Sequence, residues 1–392
     1  AKYGKPEYGP FKLVHTNPDY STSGLAAVVA EYYSATGKKE GLTEADIKST
    51  KVRDEVQAIE RSIVHYGDTT LFISDQMREH GLGYASAVAM EEATLIDFNE
   101  HRGSQPKLDA IYPKEGTFFS DDPFITLDAP WVTADQRAGA AAFQHYLADQ
   151  ITPEMAAKYG FRPADYKTKP GAPIDAEHGA DPNLPTRVLG FPEPQVLAAA
   201  KTAWRADRKP ANIELVLDVS GSMQEEGRLE RAKAGLKTFF KSVGPNDRVG
   251  LTAFNQDIVP LVPIAPYKDN GAKLRSTVAG LVADGGTAFY EAAVKGFSDV
   301  RDLHDTSRIN AVVLLTDGED TDSAIDFEQA RRELGGQGDA AGQVRLYTIA
   351  YSAGAAMAEE QLNALAAATG GKGYQGSTED IESVYRSISS FF

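Results

Sequence analysis

Three short stretches of this chain carry oxygen-bearing side chains of the kind that hold hard cations. They are Asp218-Val219-Ser220-Gly221-Ser222, Asp284-Gly285-Gly286-Thr287 and Thr316-Asp317-Gly318. Mg²⁺ takes roughly six oxygen ligands at about 2.1 Å and keeps several waters, so a set of carboxylates and hydroxyls drawn from separate loops suits it, with Mn²⁺ or Ca²⁺ as the other hard ions to expect. In a tight Asp-x-Ser-x-Ser loop alternate residues point the same way, and Gly221 lets the backbone bend close to an ion. The hydroxyls are neutral and leave the ion's charge partly uncompensated, so it stays attractive to a carboxylate brought by another molecule. Taken singly, each stretch is ordinary: Asp-x-Ser-x-Ser commonly ends a strand with a serine capping the next helix, and Thr-Asp-Gly is a common turn. Their joint occurrence after expected strands is what argues for a cation. Glu225, Glu226, Glu319, Asp320 and Asp322 lie close by in sequence. Most of them are expected to be solvated rim charges that tune which acidic partner can approach.

The elements that must position these loops follow from hydrophobic periodicity. Residues 213–219, 249–254, 311–316 and 344–350 are almost unbroken apolar runs, as parallel strands covered on both faces require. Between them Leu229, Ala232, Leu236, Phe240 and Val243 recur at helical spacing, as do Leu274, Val278 and Leu281, then Ala292 and Val300 after Thr287; Ile381, Val384, Tyr385 and Ile388 suggest a closing helix. This order predicts an α/β fold with a doubly wound, mainly parallel sheet, and such sheets bind ligands in the crevice at the carboxyl ends of their strands.

The first half also alternates. A strand is expected at 11–16, a turn at Asn17-Pro18, and a helix capped by Ser21 or Thr22. A second helix is expected over 43–66, from a capping box of Thr43 and Asp46 to a stop at Gly67. Strand-bearing segments are expected at 70–74, 83–90 and 108–113, and helices at 133–149 and 153–159. Residues 167–193 are rich in Pro, Gly, Asp and Ala and read as a surface connection, followed by a helix over 194–208 containing Trp204. Two domains result: 1–193, including the connection, and 194–392 with its leading helix. The stretch Asn17 to Gly24 places free backbone N–H groups and hydroxyls at a helix N-terminus, a place that suits an anion, although an ordinary Ser/Thr cap is the simpler reading of those residues alone.

The pattern Asp-x-Ser-x-Ser, then Thr, then Thr-Asp-Gly resembles the metal-ion-dependent adhesion site of von Willebrand factor A domains, with all five positions matched. The likeness extends over about 211–392, a doubly wound, Rossmann-like arrangement. It implies that Ser220, Ser222 and Thr287 ligate a divalent ion directly or through water, and that Asp218 and Asp317 do so depending on conformation. Segments of the first half look like the later part of bacterial extracellular solute-binding proteins of the type 2 periplasmic-binding fold. They are 12–24, Gly83-Tyr84-Ala85-Ser86 with Glu91-Glu92, Ile111-Tyr112-Pro113-Lys114-Glu115-Gly116 with Asp122-Pro123, and Gly160-Phe161-Arg162-Pro163. Most of the first lobe of such a protein is lacking, so half of the cleft walls are missing. On this resemblance Ser21, Thr22, Ser23 and Tyr84 are the residues expected to meet a small solute.

Bulk properties narrow the function. The chain has 392 residues, no cysteine and a net charge of -16. Thiolate chemistry, zinc-thiolate sites and Fe–S clusters are excluded, and nucleic acid is disfavoured as a partner because the charge repels it. No run of eighteen apolar residues and no basic, apolar-cored leader occur, so a soluble piece is expected, with peripheral or lipid-anchored membrane association left to a full-length protein. Phosphate-loop, GxSxG and aspartyl-phosphate patterns are lacking and none of the seven histidines falls in the metal loops, so binding is expected rather than catalysis. The reading is an extracellular or cell-surface bacterial binding protein that grips an acidic group of a protein partner through Mg²⁺. The alternatives are a transporter-linked solute receptor with an accessory A domain and, more remotely, a metal-dependent hydrolase.

Overall fold

A computed structural model describes residues 11–163, 168–335, 343–351, 356–376 and 381–392. The expected connection therefore begins, at Lys167, outside the described residues, as do residues 1–10 of the first domain. The N-terminal part runs β1 (Leu13–Thr16), α1 (Thr22–Thr36), α2 (Glu44–Lys48), α3 (Thr50–Glu60), β2 (Ile63–Gly67), α4 (Thr70–His80), β3 (Ala87–Val88), α5 (Glu92–His101), α6 (Ala134–Gln150) and α7 (Pro153–Lys158). Then α8 (Pro194–Asp207) leads into β4 (Ala211–Asp218), α9 (Arg228–Ser242), β5 (Arg248–Phe254), β6 (Ile258–Pro266), α10 (Tyr267–Ala279) and α11 (Phe289–Arg301). The chain continues through β7 (Ile309–Thr316), α12 (Phe327–Gly335), β8 (Val344–Ala350), α13 (Ala356–Ala367), β9 (Gly373–Gln375) and α14 (Ile381–Ile388).

The larger sheet has the order β6-β5-β4-β7-β8-β9, with all neighbours parallel except the antiparallel β5–β6 pair. Every residue of β4, β7 and β8 is buried, as their apolar runs require when helices cover both faces. The chain moves from β4 to β5 on one side and later to β7 on the other, so a switch point falls beside β4. Gly296 lets α11 lie close to the sheet, since a Cβ there would come within 2.6 Å of Val216. The α/β class and the mainly parallel doubly wound sheet are as the sequence predicts; the antiparallel edge strand β6 carries Pro260, Pro263 and Pro266 and was not foreseen.

A smaller parallel sheet, β2-β1-β3, forms the N-terminal layer. One apolar cluster runs through both layers, from Val28, Tyr32 and Ile63 through Trp204 on α8 to Ile213 and Phe391. Several local expectations need correction. The helix over 43–66 is broken: the Thr43–Asp46 capping box is present, but Ser49 is extended between α2 and α3, and 63–67 is strand β2. Ile63 therefore serves a strand, because β-branched Ile63 and aromatic Tyr66 pair with Leu13 and His15 of β1. Residues 70–74 open helix α4, with Thr69 accepting from Phe72 N as its cap, rather than forming a strand. Residues 108–113 carry no strand. Between 168 and 193 the chain is more than a surface link, since Ile174 and Ala180 pack with Ile96 and Leu189 joins the main core.

Candidate metal centre

Asp218 ends β4 with its side chain fully buried. Its Oδ1 accepts from Ser220 N (2.7 Å) and its Oδ2 from Thr316 Oγ1 (2.5 Å), so both strand ends, β4 and β7, fix the carboxylate. The loop that follows is tied down on its flank: Val219 N donates to Phe254 O, Asp284 N to Val219 O, and Gly221 N to Gly285 O. A Cβ on Gly221 would lie 3.3 Å from that last carbonyl, a tight contact, so the glycine eases the approach of two loop backbones. With the loop held, Ser220 Oγ and Ser222 Oγ are 3.0 Å apart, and Ser222 Oγ donates to Asp317 Oδ1 at 2.7 Å. Thr287 closes the group: a Cβ on Gly318 would sit 3.8 Å from Ser222 Oγ and 4.0 Å from Thr287 Oγ1. Four of the five residues are buried and Ser222 is half-buried, which marks the outward side.

Burial pushes the Asp218 carboxyl up to about 6, against the hydrogen bonds from Thr316 and Ser220, and the nearby Asp317 carboxylate adds to the rise. Arg228, on α9, donates to Asp317 Oδ2 at 2.8 Å and balances only one of the two acids. The remaining donors are oxygens with spare lone pairs, two carboxylates and three hydroxyls. That set fits a hard divalent cation and fits a soft one poorly.

The structure therefore brings Asp218, Ser220, Ser222, Thr287 and Asp317 together. It also shows supporting residues to which the sequence reading gave no such role. Thr316 holds Asp218, Arg228 holds Asp317, and Asn255 and Gln256 brace the Thr287 loop through Ala288 N to Asn255 O and Gly286 N to Gln256 Oε1. Thr316 was signalled by standing next to Asp317; Arg228 had no signal, because only the fold carries the start of α9 to the end of β7. Of the five acids expected to be mostly solvated rim charges, Glu225, Glu226, Glu319 and Asp322 are exposed and Asp320 is half-buried, and two of them also brace the site. Asp322 Oδ2 accepts from Thr287 N (3.0 Å), and Asp320 Oδ2 accepts from Tyr290 N (3.1 Å) at the start of α11. Glu225 and Glu226 are exposed and flank Arg228 at 3.6 and 3.9 Å.

The four residues expected to meet a solute have separate surroundings. Ser21 precedes α1 without making a side-chain cap, and its Oγ accepts from Thr16 Oγ1 (2.9 Å). Thr22 is exposed, and Ser23 donates to Glu91. Tyr84 is buried in another cluster, against His65 and beneath the Arg345 guanidinium, whose carbon is 5.3 Å from the ring centre. Asn17 Nδ2 donates to Phe392 O (3.4 Å), so the C-terminal residues pack against the loop that precedes α1.

The family model for the von Willebrand factor type A domain matches residues 212–386, the stretch that contains this sheet and all five residues. Residues 212–386 form a von Willebrand factor type A domain. An uncharacterised protein of Mycobacterium tuberculosis is 25% identical to the chain over 217 residues, covering 53% of this chain and 31% of that protein. An uncharacterised protein of Synechocystis is 31% identical over 125 residues, covering 32% of this chain and 29% of that protein. The chain thus spans less than a third of the length of these curated relatives. Among solved structures, a von Willebrand factor type A protein from Catenulispora acidiphila aligns with a TM-score of 0.38 and 20% identity, over 46% of this chain and 42% of that one. No helix among the described residues is long and apolar enough to cross a membrane.

Proposed function

We propose that the A domain holds Mg²⁺, or the related Mn²⁺ or Ca²⁺, through Asp218, Ser220, Ser222, Thr287 and Asp317, and uses it to capture a carboxylate of a protein partner. The observation that carries this reading is the continuous run of oxygens from Ser220 through Ser222 to Asp317, which joins the loops after β4 and β7 at the switch point of the sheet. When bound, the ion supplies a partly compensated positive charge with a position for an outside oxygen. The chain's own residues keep the carboxylates from rearranging: Thr316 and the Ser220 backbone hold Asp218, and Arg228 holds Asp317. A role in binding rather than turnover agrees with the chemistry around the centre, where no hydrogen bond among the described residues joins Ser220 or Ser222 to a histidine, and the carboxylate that accepts from Ser222, Asp317, is itself held by Arg228.

Residues 11–163 are, in this reading, a lobe of the solute-binding type that serves as a platform for the A domain, on an extracellular or cell-surface protein. Support comes from the uses that two of its expected ligand groups already have: Ser23 donates to Glu91, and Tyr84 packs on the A domain through Arg345.

Titration calorimetry with Mg²⁺ and Mn²⁺ tests the centre. The Ser222→Ala variant is expected to lose binding or to weaken at least about tenfold, with the thermal unfolding profile of the metal-free protein little changed. Equal affinity in the two proteins would remove the assigned ligand set.

A further inference from the structure

A second group of metal-ligand side chains lies in the N-terminal layer, away from the A-domain centre. His15 stands on β1, Glu31 on α1 and Glu60 at the end of α3. One ligand atom from each lies within 4.8 Å of the other two, and the residues are 1%, 8% and 0% exposed. Two carboxyl groups in such a place require compensation. The guanidinium groups of this region hydrogen-bond elsewhere, Arg53 to Asp207 and Arg208 to Asp247. Burial, and then the Glu60 carboxylate beside it, raises the Glu31 carboxyl well above its ordinary range.

The orientation of His15 is informative. Its Nδ1 lies 2.7 Å from Thr16 O, which can only accept, so Nδ1 carries the hydrogen. Nε2 is thereby aimed at Glu60 Oε1, 3.3 Å away. Metal-ligating histidines commonly stand this way, one ring N–H on a backbone carbonyl and the other nitrogen toward the ion. The 3.3 Å separation is also close to the edge of a tetrahedron whose corners lie about 2.0–2.1 Å from a central Zn²⁺, which is roughly 3.3–3.4 Å. The Glu60 carboxylate is held from behind, Oε1 by Trp204 Nε1 (3.0 Å) and Oε2 by the Tyr66 hydroxyl. Independently, Glu31 Oε2 is buried with no hydrogen-bond partner.

We propose that His15 Nε2, Glu31 and Glu60 form a structural site for one Zn²⁺-class cation, with a fourth position for water, which pins β1, α1 and α3 together beside α8. The mixed nitrogen and oxygen set prefers such an ion to Mg²⁺, whereas the all-oxygen A-domain centre has the opposite preference. The two sites can therefore be loaded separately.

Co²⁺ serves as the probe, added to the full chain in saturating Mg²⁺. One equivalent is expected to bind with the visible absorption of four-coordinate cobalt, to be displaced by Zn²⁺, and to bind equally in Ser222→Ala. His15→Gln and Glu31→Gln are expected to lose at least about tenfold in Co²⁺ affinity. In the wild type and in Ser222→Ala, but not in His15→Gln or Glu31→Gln, Zn²⁺ should raise the melting temperature by about 3 °C or more, and zinc-edge X-ray absorption of the wild type should show one imidazole in the first shell. The absorption measurement stands even where a variant does not fold. No bound cobalt in the wild type, unchanged affinity in His15→Gln, or a zinc shell without imidazole each overturns the proposal; loss of cobalt in Ser222→Ala would mean that the ion had gone to the A-domain centre.

Discussion

Glu214 lies in the middle of β4 with its carboxyl buried, fitted into the notch left by Gly250 on β5; a Cβ there would come within 1.9 Å of Oε2. Burial pushes this carboxyl up from 4.5 to about 8, while the Thr252 hydroxyl (2.7 Å) works against the rise. Because the folded value is the higher one, the stabilising contribution is complete below about pH 4.5 and is lost progressively as pH rises through about 8, each tenfold gain in proton affinity on folding being worth about 1.4 kcal/mol. Glu214→Gln should flatten this part of the profile. Urea midpoints measured at about pH 6 and about pH 8.5 should fall further in the wild type than in the variant, and parallel falls would refute the assignment. At this scale the sequence was informative where residue type and spacing coincide. The five oxygen ligands could be read because each belongs to a short motif. The braces could not: Arg228, Asp320 and Asp322 act through loops whose meeting depends on the order of strands in the sheet.

At the scale of elements, the loop from Asn17 to Gly24 is instructive. Its composition suggests an anion site, yet Gly24 has a packing role: a Cβ there would lie 2.0 Å from Thr16 O, so only glycine lets the first turn of α1 rest on the end of β1. Gly24→Ala is expected to cost about 1–3 kcal/mol or more, read as a lowered urea midpoint, because the obstacle is backbone that cannot turn away. An unchanged midpoint would mean that α1 can shift outward freely. Strands of the larger sheet were legible because full burial on both faces leaves unbroken apolar runs, and α9, α11 and α14 because one buried face repeats at helical spacing. The break at Ser49 and the start of β2 were not legible. Val52, Val56 and Ile59 keep the helical period, and Ile63 falls in phase with them although it belongs to a strand. Only pairing with β1 tells the two apart.

For the whole molecule, the apolar cluster that passes from the N-terminal layer through Trp204 to the large sheet has a thermodynamic meaning. Arg53 on α3 grips Asp207 at the end of α8, and the Phe391 ring meets Phe72 edge-on at 5.5 Å between centres. Calorimetry is expected to show one cooperative transition, and two well-separated transitions would show that the layers melt independently. Phe391→Ala should lower that single transition, at a cost of about 3–5 kcal/mol for a fully buried ring. By contrast Phe143→Ser on α6, where the residue is 54% exposed, should leave it nearly unmoved. The division of the sequence into two domains at the Pro- and Gly-rich connection gave no sign of this shared interior, since contacts between distant segments leave no local pattern. The borders of the large sheet carry one last implication. β9 offers only three residues, and β6 interposes Pro260, Pro263 and Pro266, none of which can donate an amide hydrogen. Neither margin gives a stray extended peptide a long row of partners, so runaway strand addition between molecules at high concentration is resisted by covalent structure, independently of any charge or salt.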